Sequence, residues 1–225
     1  MSSSNKINVI GGGLAGSEAA YQITKFGINV DLYEMRPKIK TEVHKTKYLA
    51  EFVCSNSFRS DDKEYNAVGL LHEELRMADS LIMKTADLNK VPAGSALAVD
   101  RDDFSKQVDQ TIKNNEKINI VNEEVSNLDK FKNEIVIVAT GPLTSNKLSQ
   151  NIRDKTFENS LAFYDAIAPI VYKDSIDMKI AWKQSRYDKG DGDDYINCPL
   201  SKYEYYECIN KIKNSPKIEF KDFEG

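Results

Sequence analysis

Short apolar runs alternate with amphipathic segments through the first 140 residues of the chain. The runs are residues 7–10, a stretch after Gly27 that ends at Tyr33, and residues 96–99, 118–121 and 135–138. Strand-length runs that alternate with helical patterns are typical of an α/β fold. The run at 135–138 is apolar throughout, which predicts a strand buried in a parallel sheet.

Helical spacing predicts three helices between these strands. The first covers residues 17–26 and ends at Gly27, and the second covers residues 66–83. The apolar positions expected to be buried in the second helix are Leu71, Leu75, Ala78 and Ile82. In the third helix Asp102 or Asp103 is the expected cap, and Phe104, Val108 and Ile112 share one face. Residues 33–59 read as irregular, and loops of this length inside a domain are often functional.

A glycine-rich turn lies between the first apolar run and the first helix. Gly11, Gly13 and Gly16 have the G-x-G-x-x-G spacing. In dinucleotide-binding domains the first glycine allows the tight turn, the second lets the backbone approach a pyrophosphate, and the third lets the helix pack against the strand. The helix N-terminus then offers N–H groups to the phosphates. The alternative is a βαβ unit that binds nothing.

Glu34 follows the second run, 18 residues after Gly16. A carboxylate at this position accepts hydrogen bonds from the hydroxyls of an adenosine ribose and repels a 2′-phosphate, which favours FAD or NAD over NADP. The small residues Ala139, Thr140 and Gly141 follow the last run, and small residues let a backbone approach a ligand. An ordinary turn between strand and loop is the alternative for these three residues.

Composition and charge limit the classes of ligand, partner and location that fit the chain. The chain has 225 residues, 40% hydrophobic residues and a net charge of −4, so nucleic acid would need a local basic patch. Residues 36–47 supply one candidate, and a solvated loop is the other reading. The three cysteines and two histidines have no familiar metal spacing. We find neither a signal peptide nor a run long enough to span a membrane, and we expect a cytoplasmic protein.

The amino-acid composition of the chain changes near residue 150. Seven of the 11 tyrosines follow that point, so we predict a first domain over residues 1–150 and part of a second, α+β domain over residues 151–225. Aromatic side chains there could stack on RNA bases, although burial in a small core is the commoner role of tyrosine.

Several motifs together carry a resemblance to one family. They are G-G-G-L-A-G-S-E-A-A at 11–20, Y-E-M-R-P at 33–37, V-C-S-N-S at 53–57, N-A-V-G-L-L at 66–71, A-L-A-V-D-R at 96–101 and A-T-G-P-L-T at 139–144. The chain resembles, from Lys6 to Gly225, the folate- and FAD-dependent tRNA (uracil-5-)-methyltransferases, which are smaller relatives of the GidA-type flavoproteins. The motifs at 33–37 and 53–57 are the most specific.

The resemblance implies a Rossmann-like FAD-binding domain and a reaction. Members reduce FAD with NAD(P)H and transfer a one-carbon unit from methylenetetrahydrofolate to C5 of a uridine in the tRNA T-loop. Cys54 matches a functional cysteine that acts as a base or nucleophile, with Ser55, Asn56 and Ser57 as polar neighbours. The expected cofactor-binding residues are Gly11, Gly12, Gly13, Leu14, Ala15, Gly16, Glu34, Met35, Arg36, Ala139, Thr140 and Gly141.

Two departures from the family pattern bear on activity. Ser95 replaces a family glycine, and the chain stops at Gly225, where the family continues into a second functional cysteine and a C-terminal half. Cys198 does not align with that cysteine, and Cys208 reads as a packing residue. The alternatives are therefore a non-catalytic dinucleotide-binding fragment, a flavin or nicotinamide oxidoreductase with a small-molecule substrate, or the same chemistry on ribosomal RNA.

Overall fold

The computed structural model describes residues 6–41, 43–53, 55–157, 171–185 and 192–216. Its strands are β1 (Lys6–Ile10), β2 (Asn29–Tyr33), β3 (Ser57–Ser60), β4 (Lys90–Val91), β5 (Ala96–Val99), β6 (Ile118–Val121), β7 (Val136–Val138), β8 (Trp182–Lys183) and β9 (Ile196–Asn197). Its α-helices are α1 (Leu14–Lys25), α2 (Ala67–Met77), α3 (Leu81–Leu88), α4 (Arg101–Lys113), α5 (Asn146–Thr156) and α6 (Lys202–Asn214).

The main sheet has the strand order β6-β2-β1-β7. All three pairings are parallel, with Ile10 opposite Tyr33 in β2 and opposite Val138 in β7. Parallel neighbours need crossover connections, and α1 supplies the one between β1 and β2. Val9 and Leu32 are fully buried at the centre of the sheet. The predicted α/β fold with a parallel sheet is confirmed.

The prediction that β7 is buried is wrong. The strand is parallel to β1, as expected, but it forms one edge of the sheet among the described residues. Ile135 is 63% exposed and Val138 is 40% exposed. An unbroken apolar run fits a strand covered on both faces, but the run cannot say which end of the sheet it occupies.

A smaller antiparallel sheet, in the order β3-β5-β4, packs beside the main one. The rings of Phe52, Phe58 and Phe104 meet in edge or tilted contacts with centroids 4.9–5.7 Å apart. Leu97 and Val99 in β5 are fully buried and belong to the same core cluster as Val9 and Leu32 of the main sheet. The chain between β2 and β3 is irregular, as predicted, but the predicted irregular range of 33–59 extends too far, because β3 begins at Ser57.

The single helix predicted over residues 66–83 is two helices. Asp79 adopts a positive φ of 54°, and Ser80 caps α3 by accepting a hydrogen bond from the Met83 N–H. The break changes the buried face: Ile82 is buried, but Leu71 is 51% exposed and Ala78 is also exposed. The sequence signal for this break is Ser80, because serine is a favoured helix cap. Apolar spacing alone does not reveal it.

Helix α4 buries the face that was predicted, because Phe104, Val108 and Ile112 are all fully buried. Its cap is different. Asp100, not Asp102 or Asp103, accepts hydrogen bonds from the backbone N–H groups of the first turn. The two predicted caps lie within that turn, where acidic side chains favour the helix dipole.

Residues beyond 150 expose most of their aromatic side chains. Tyr172 is 88% exposed, and α6 carries the exposed Tyr203, Tyr205 and Tyr206, so the expectation that the tyrosines here are half-buried is wrong for these four; Tyr195 is half-buried, with its hydroxyl donating to the Ala93 carbonyl at 2.8 Å, and Tyr164 and Tyr187 lie outside the described residues. Cys208 is also exposed, contrary to its predicted packing role. Helix α5 crosses residue 150, and the domain boundary there stays a prediction. No helix in the described ranges is long and apolar enough to cross a membrane.

Candidate functional site

The glycine turn joins the carboxyl end of β1 to α1 with almost no free space. Gly11 has a φ of +103°, and a Cβ built on it would lie 2.6 Å from the Ala139 carbonyl oxygen. A Cβ on Gly16 would lie 1.7 Å from the Gly11 carbonyl oxygen. Real side chains cannot occupy these positions, so the backbone packing itself requires glycine at 11 and 16.

Gly13 is different from its neighbours. A Cβ added there meets no atom within 4 Å, and its φ of −74° is open to any residue. Gly13 also begins α1 without a side-chain cap, and the first turn contains no acidic residue. The free N–H groups and the dipole of the helix N-terminus therefore face open space, an arrangement that binds anions such as phosphates.

The segment that follows β7 lies against this turn. Ala139 donates a backbone hydrogen bond to Ile10 at 2.8 Å, and Gly141 turns the chain with a φ of +60°. The Thr140 and Thr144 hydroxyl oxygens are 2.6 Å apart. Residues 11–16 and 139–141 together form what we call the glycine-turn wall.

Glu34 lies beside the turn, at the carboxyl end of β2, and is 7% exposed. Its carboxylate accepts hydrogen bonds from the Gly12 N–H at 2.9 Å, the Arg36 N–H at 2.9 Å, the Arg36 Nε at 3.0 Å and the Arg36 Nη2 at 3.4 Å. Burial alone would raise the pKa of Glu34, but the hydrogen bonds and charge of Arg36 and the Gly12 N–H outweigh it and lower that pKa. Glu34 is thus an anion held in place before any ligand is bound.

A second wall is formed by residues 43–53, which we call the loop wall. His44, Glu51 and Val53 face the same space as the glycine turn. The Ala50 N–H donates to the Gly12 carbonyl at 2.9 Å, which brings the two walls together. Burial, and next the charge of Arg36, lower the pKa of His44, and its Nδ1 lies 2.5 Å from the Thr41 hydroxyl. Near neutral pH this imidazole is uncharged.

The two walls enclose a cavity of about 370 Å³ at the carboxyl ends of β1 and β2. Ligands of open α/β sheets bind at this edge. The predicted cofactor residues that line it are Gly11, Gly12, Gly13, Leu14, Ala15, Glu34, Met35, Arg36, Ala139, Thr140 and Gly141. Gly16 is the exception, because it packs against the Gly11 carbonyl and does not line the cavity. Their common cavity is an arrangement that the sequence alone does not give.

Cys54, the predicted catalytic residue, lies outside the described residues. Its neighbours are placed. Val53 lines the cavity, and Asn56 is fixed to β5 because its amide donates to the Val99 carbonyl at 2.9 Å. The hydroxyl of Ser55 accepts from the Ser57 N–H at 3.1 Å. The predicted polar neighbours therefore hold the chain in place next to the cavity.

Sequence reasoning missed the loop-wall residues and a third segment, Glu123, Glu124 and Val125, which also lines the cavity. No spacing rule links either group to the glycine turn, since each reaches the site through the fold. Ser95, the replaced family glycine, is exposed and does not line the cavity.

The parallel sheet, the glycine turn and the cavity at the strand ends define a Rossmann-like dinucleotide-binding fold. The sequence profile of the family described as glucose inhibited division protein A matches residues 6–225. The chain therefore belongs to this family.

Curated relatives narrow the likeness further. The chain is 58% identical over 225 residues to the methylenetetrahydrofolate–tRNA-(uracil-5-)-methyltransferase TrmFO of Bartonella henselae, which covers 98% of this chain and 48% of the relative. It is 56% identical over 218 residues to the protein of the same name from Paramagnetospirillum magneticum, covering 97% of this chain and 49% of the relative. The chain spans about half the length of the curated relatives it matches.

Proposed function

We propose that this chain is the FAD-binding portion of a folate-dependent tRNA (uracil-5-)-methyltransferase. The observation that carries the proposal is the cavity at the glycine turn, which collects eleven of the twelve residues that the sequence assigns to the cofactor. The names of relatives that are 56–58% identical support the reaction. The same proposal includes a cytoplasmic location and NADH or NADPH as the reductant.

The geometry fits the parts of FAD. The uncapped start of α1 and the open space at Gly13 suit the pyrophosphate. Glu34 is an anion of lowered pKa beside Met35 and is the candidate partner of the adenosine ribose. Four hydrogen bonds from Gly12 and Arg36 already reach its oxygens, the longest from Arg36 Nη2 at 3.4 Å, and a carboxylate has about four accepting positions. A ribose hydroxyl would therefore replace the long Arg36 Nη2 bond, and accepting both hydroxyls, as expected from the sequence, would cost a second existing bond.

The chemistry needs groups beyond the cofactor. Bound FAD would supply the redox chemistry that turns the one-carbon unit of methylenetetrahydrofolate into a methyl group. Uracil C5 becomes nucleophilic when a group adds at C6, and a thiolate suits that role. Cys54 is our candidate, as nucleophile or as the base that removes the C5 proton. Val53, directly before it, is part of the loop wall.

A second candidate is a dinucleotide-binding fragment without methyltransferase activity. The observation that favours it is the length of the relatives, about twice that of the chain. The two candidates share the cavity and differ in turnover, so methyl transfer to a tRNA T-loop transcript by this chain and by a full-length relative separates them.

The first experiment is a visible absorption spectrum of the chain after incubation with FAD and desalting. We expect a near-equimolar flavin band. Gly13→Val is the diagnostic variant: its side chain has space in the protein, so the melting temperature should stay within about 4 °C of the wild type, while the flavin band is lost. A folded, colourless wild-type chain would contradict the proposal for this chain.

A further inference from the structure

Arg36 is a buried guanidinium between two carboxylates. It is 3% exposed; its Nε donates to Glu34 at 3.0 Å and its Nη1 donates to Glu51 at 3.1 Å. Arg36 and Glu34 line both the cofactor cavity and a second cavity of about 410 Å³. The pair is therefore part of the partition between two spaces. A bidentate, planar arginine suits such a bridge, and a lysine does not.

Glu51 links Arg36 to the backbone of the loop wall. Its carboxylate accepts from the Lys45 N–H at 2.8 Å, from the Thr46 N–H at 3.1 Å and from the Thr46 hydroxyl at 2.9 Å. The carbonyl of Arg36 itself accepts from the Asn122 amide at 2.6 Å. One network, buried at Arg36 and Glu34 and reaching the surface at Lys45, thus ties β2, the loop wall and the segment after β6.

We infer that Arg36 and Glu51 are positioning residues that fix the loop wall against the glycine turn before a cofactor binds. The sequence places Arg36 beside the adenosine, but the structure directs its Nε and Nη1 donors to Glu34 and Glu51. Arg36 acts through these carboxylates, and the segment it holds leads through Val53 to Cys54. The inference rests on the proposed function only for the identity of the ligand that enters the cavity.

The test compares hydrogen exchange of residues 43–53 in the FAD-free chain. We expect Arg36→Lys and Glu51→Gln to speed exchange at the Lys45 and Thr46 amides by about tenfold through local opening, with the amides of β1 and β2 unchanged. Arg36→Lys keeps the charge, so this result separates bridging from charge alone. Thr46→Val, which removes one hydroxyl from the network, is the milder second variant and should have the same effect at smaller size.

The matched control is Arg76→Lys. Arg76 also bridges two carboxylates, donating to Asp61 at 2.9 Å and to Asp87 at 2.8 Å, and it does not line the cavity. It should leave exchange in residues 43–53 at the wild-type rate.

FAD affinity is the second readout. If the loop wall occupies its binding position only a tenth of the time, the apparent FAD dissociation constant rises about tenfold. Weaker FAD binding with unchanged exchange in residues 43–53 would overturn the inference, because Arg36 would then touch the cofactor directly. Unchanged exchange in all three variants would also overturn it. A wild-type chain that binds no FAD would count against the proposed function, while the exchange comparison would still decide the positioning role.

Discussion

The cavity has two walls that are held in place by different forces. The glycine-turn wall depends on backbone packing, with Gly16 pressed against the Gly11 carbonyl and Gly11 against Ala139. The loop wall depends on buried charge, with Arg36 between Glu34 and Glu51. The first wall should tolerate no added atoms at Gly11 or Gly16 and should be insensitive to pH. The second should accept isosteric changes at a cost and should respond to protonation.

The largest expected effect is on the glycine-turn wall. Gly16→Val places a branched side chain where even a Cβ lies 1.7 Å from the Gly11 carbonyl oxygen, and neither backbone segment can withdraw without separating α1 from β1. We expect loss of the cooperative unfolding transition in urea. Gly13→Val is the matched control, and it should lose less than about 1 kcal/mol. A folded Gly16→Val chain of near wild-type stability would show that the turn is less tightly packed than described.

The next effect is on the loop wall. Glu34→Gln removes the charge that faces Arg36, whose side chain is 3% exposed, and leaves that guanidinium with Glu51 alone. Removing one partner of a buried ion pair is strongly destabilising, so we expect a loss of about 3 kcal/mol in the free energy of unfolding. Lys211→Gln, which breaks an exposed pair with Glu207 in α6, should change it by less than about 0.5 kcal/mol. Equal effects of the two variants would remove the distinction between the walls.

Acid should weaken the loop wall selectively. The pKa of Glu34 in the folded chain is lowered from its usual 4.5, against the effect of burial, by Arg36 and Gly12. The stability that Glu34 contributes is complete above the unfolded pKa and is lost as pH falls through the folded pKa.

The measurement is urea unfolding of wild type and Glu34→Gln across a pH series. The difference in free energy should be constant above about pH 6 and should narrow as pH falls below about 5. The difference between wild type and Gly13→Val should stay flat, since that change adds no titratable group. A Glu34→Gln difference that is still undiminished at acid pH would contradict the charge-based account of this wall.

The same contrast explains what the sequence could predict. The glycine turn is local: Gly11, Gly13 and Gly16 lie in one turn, and their spacing identifies it directly. The order of strand, glycine turn, helix and strand also fixed the fold class. Ala139–Gly141 are predictable as well, because small residues that follow a strand let the backbone approach a ligand.

Local sequence patterns cannot predict the loop wall. Arg36 and Glu51 are separated by a long irregular segment, and the pairing between them depends on how that segment folds back over Gly12. The charges in residues 36–47 predict a basic patch or a solvated loop, whereas Arg36 is buried. The edge position of β7 and the break at Asp79 were missed for a related reason, since neighbour relations and helix caps are not contained in apolar spacing.

The smallest expected effect tests whether the loop wall is one network or a set of separate contacts. Thr46→Val removes a hydroxyl that donates to Glu51 at 2.9 Å and accepts from the Tyr48 N–H at 3.2 Å, and it leaves the Thr46 N–H in place. A net loss of about 1 kcal/mol is expected for each of these two bonds. Thr111→Val in α4, which removes a hydroxyl bonded to the Gln107 carbonyl, is the control and should change stability by less than about 0.5 kcal/mol. In the Glu34→Gln background the Thr46→Val loss should shrink if the charges act together, because Arg36 then holds Glu51 less firmly. Additive losses in that double-mutant cycle would instead divide the loop wall into independent contacts.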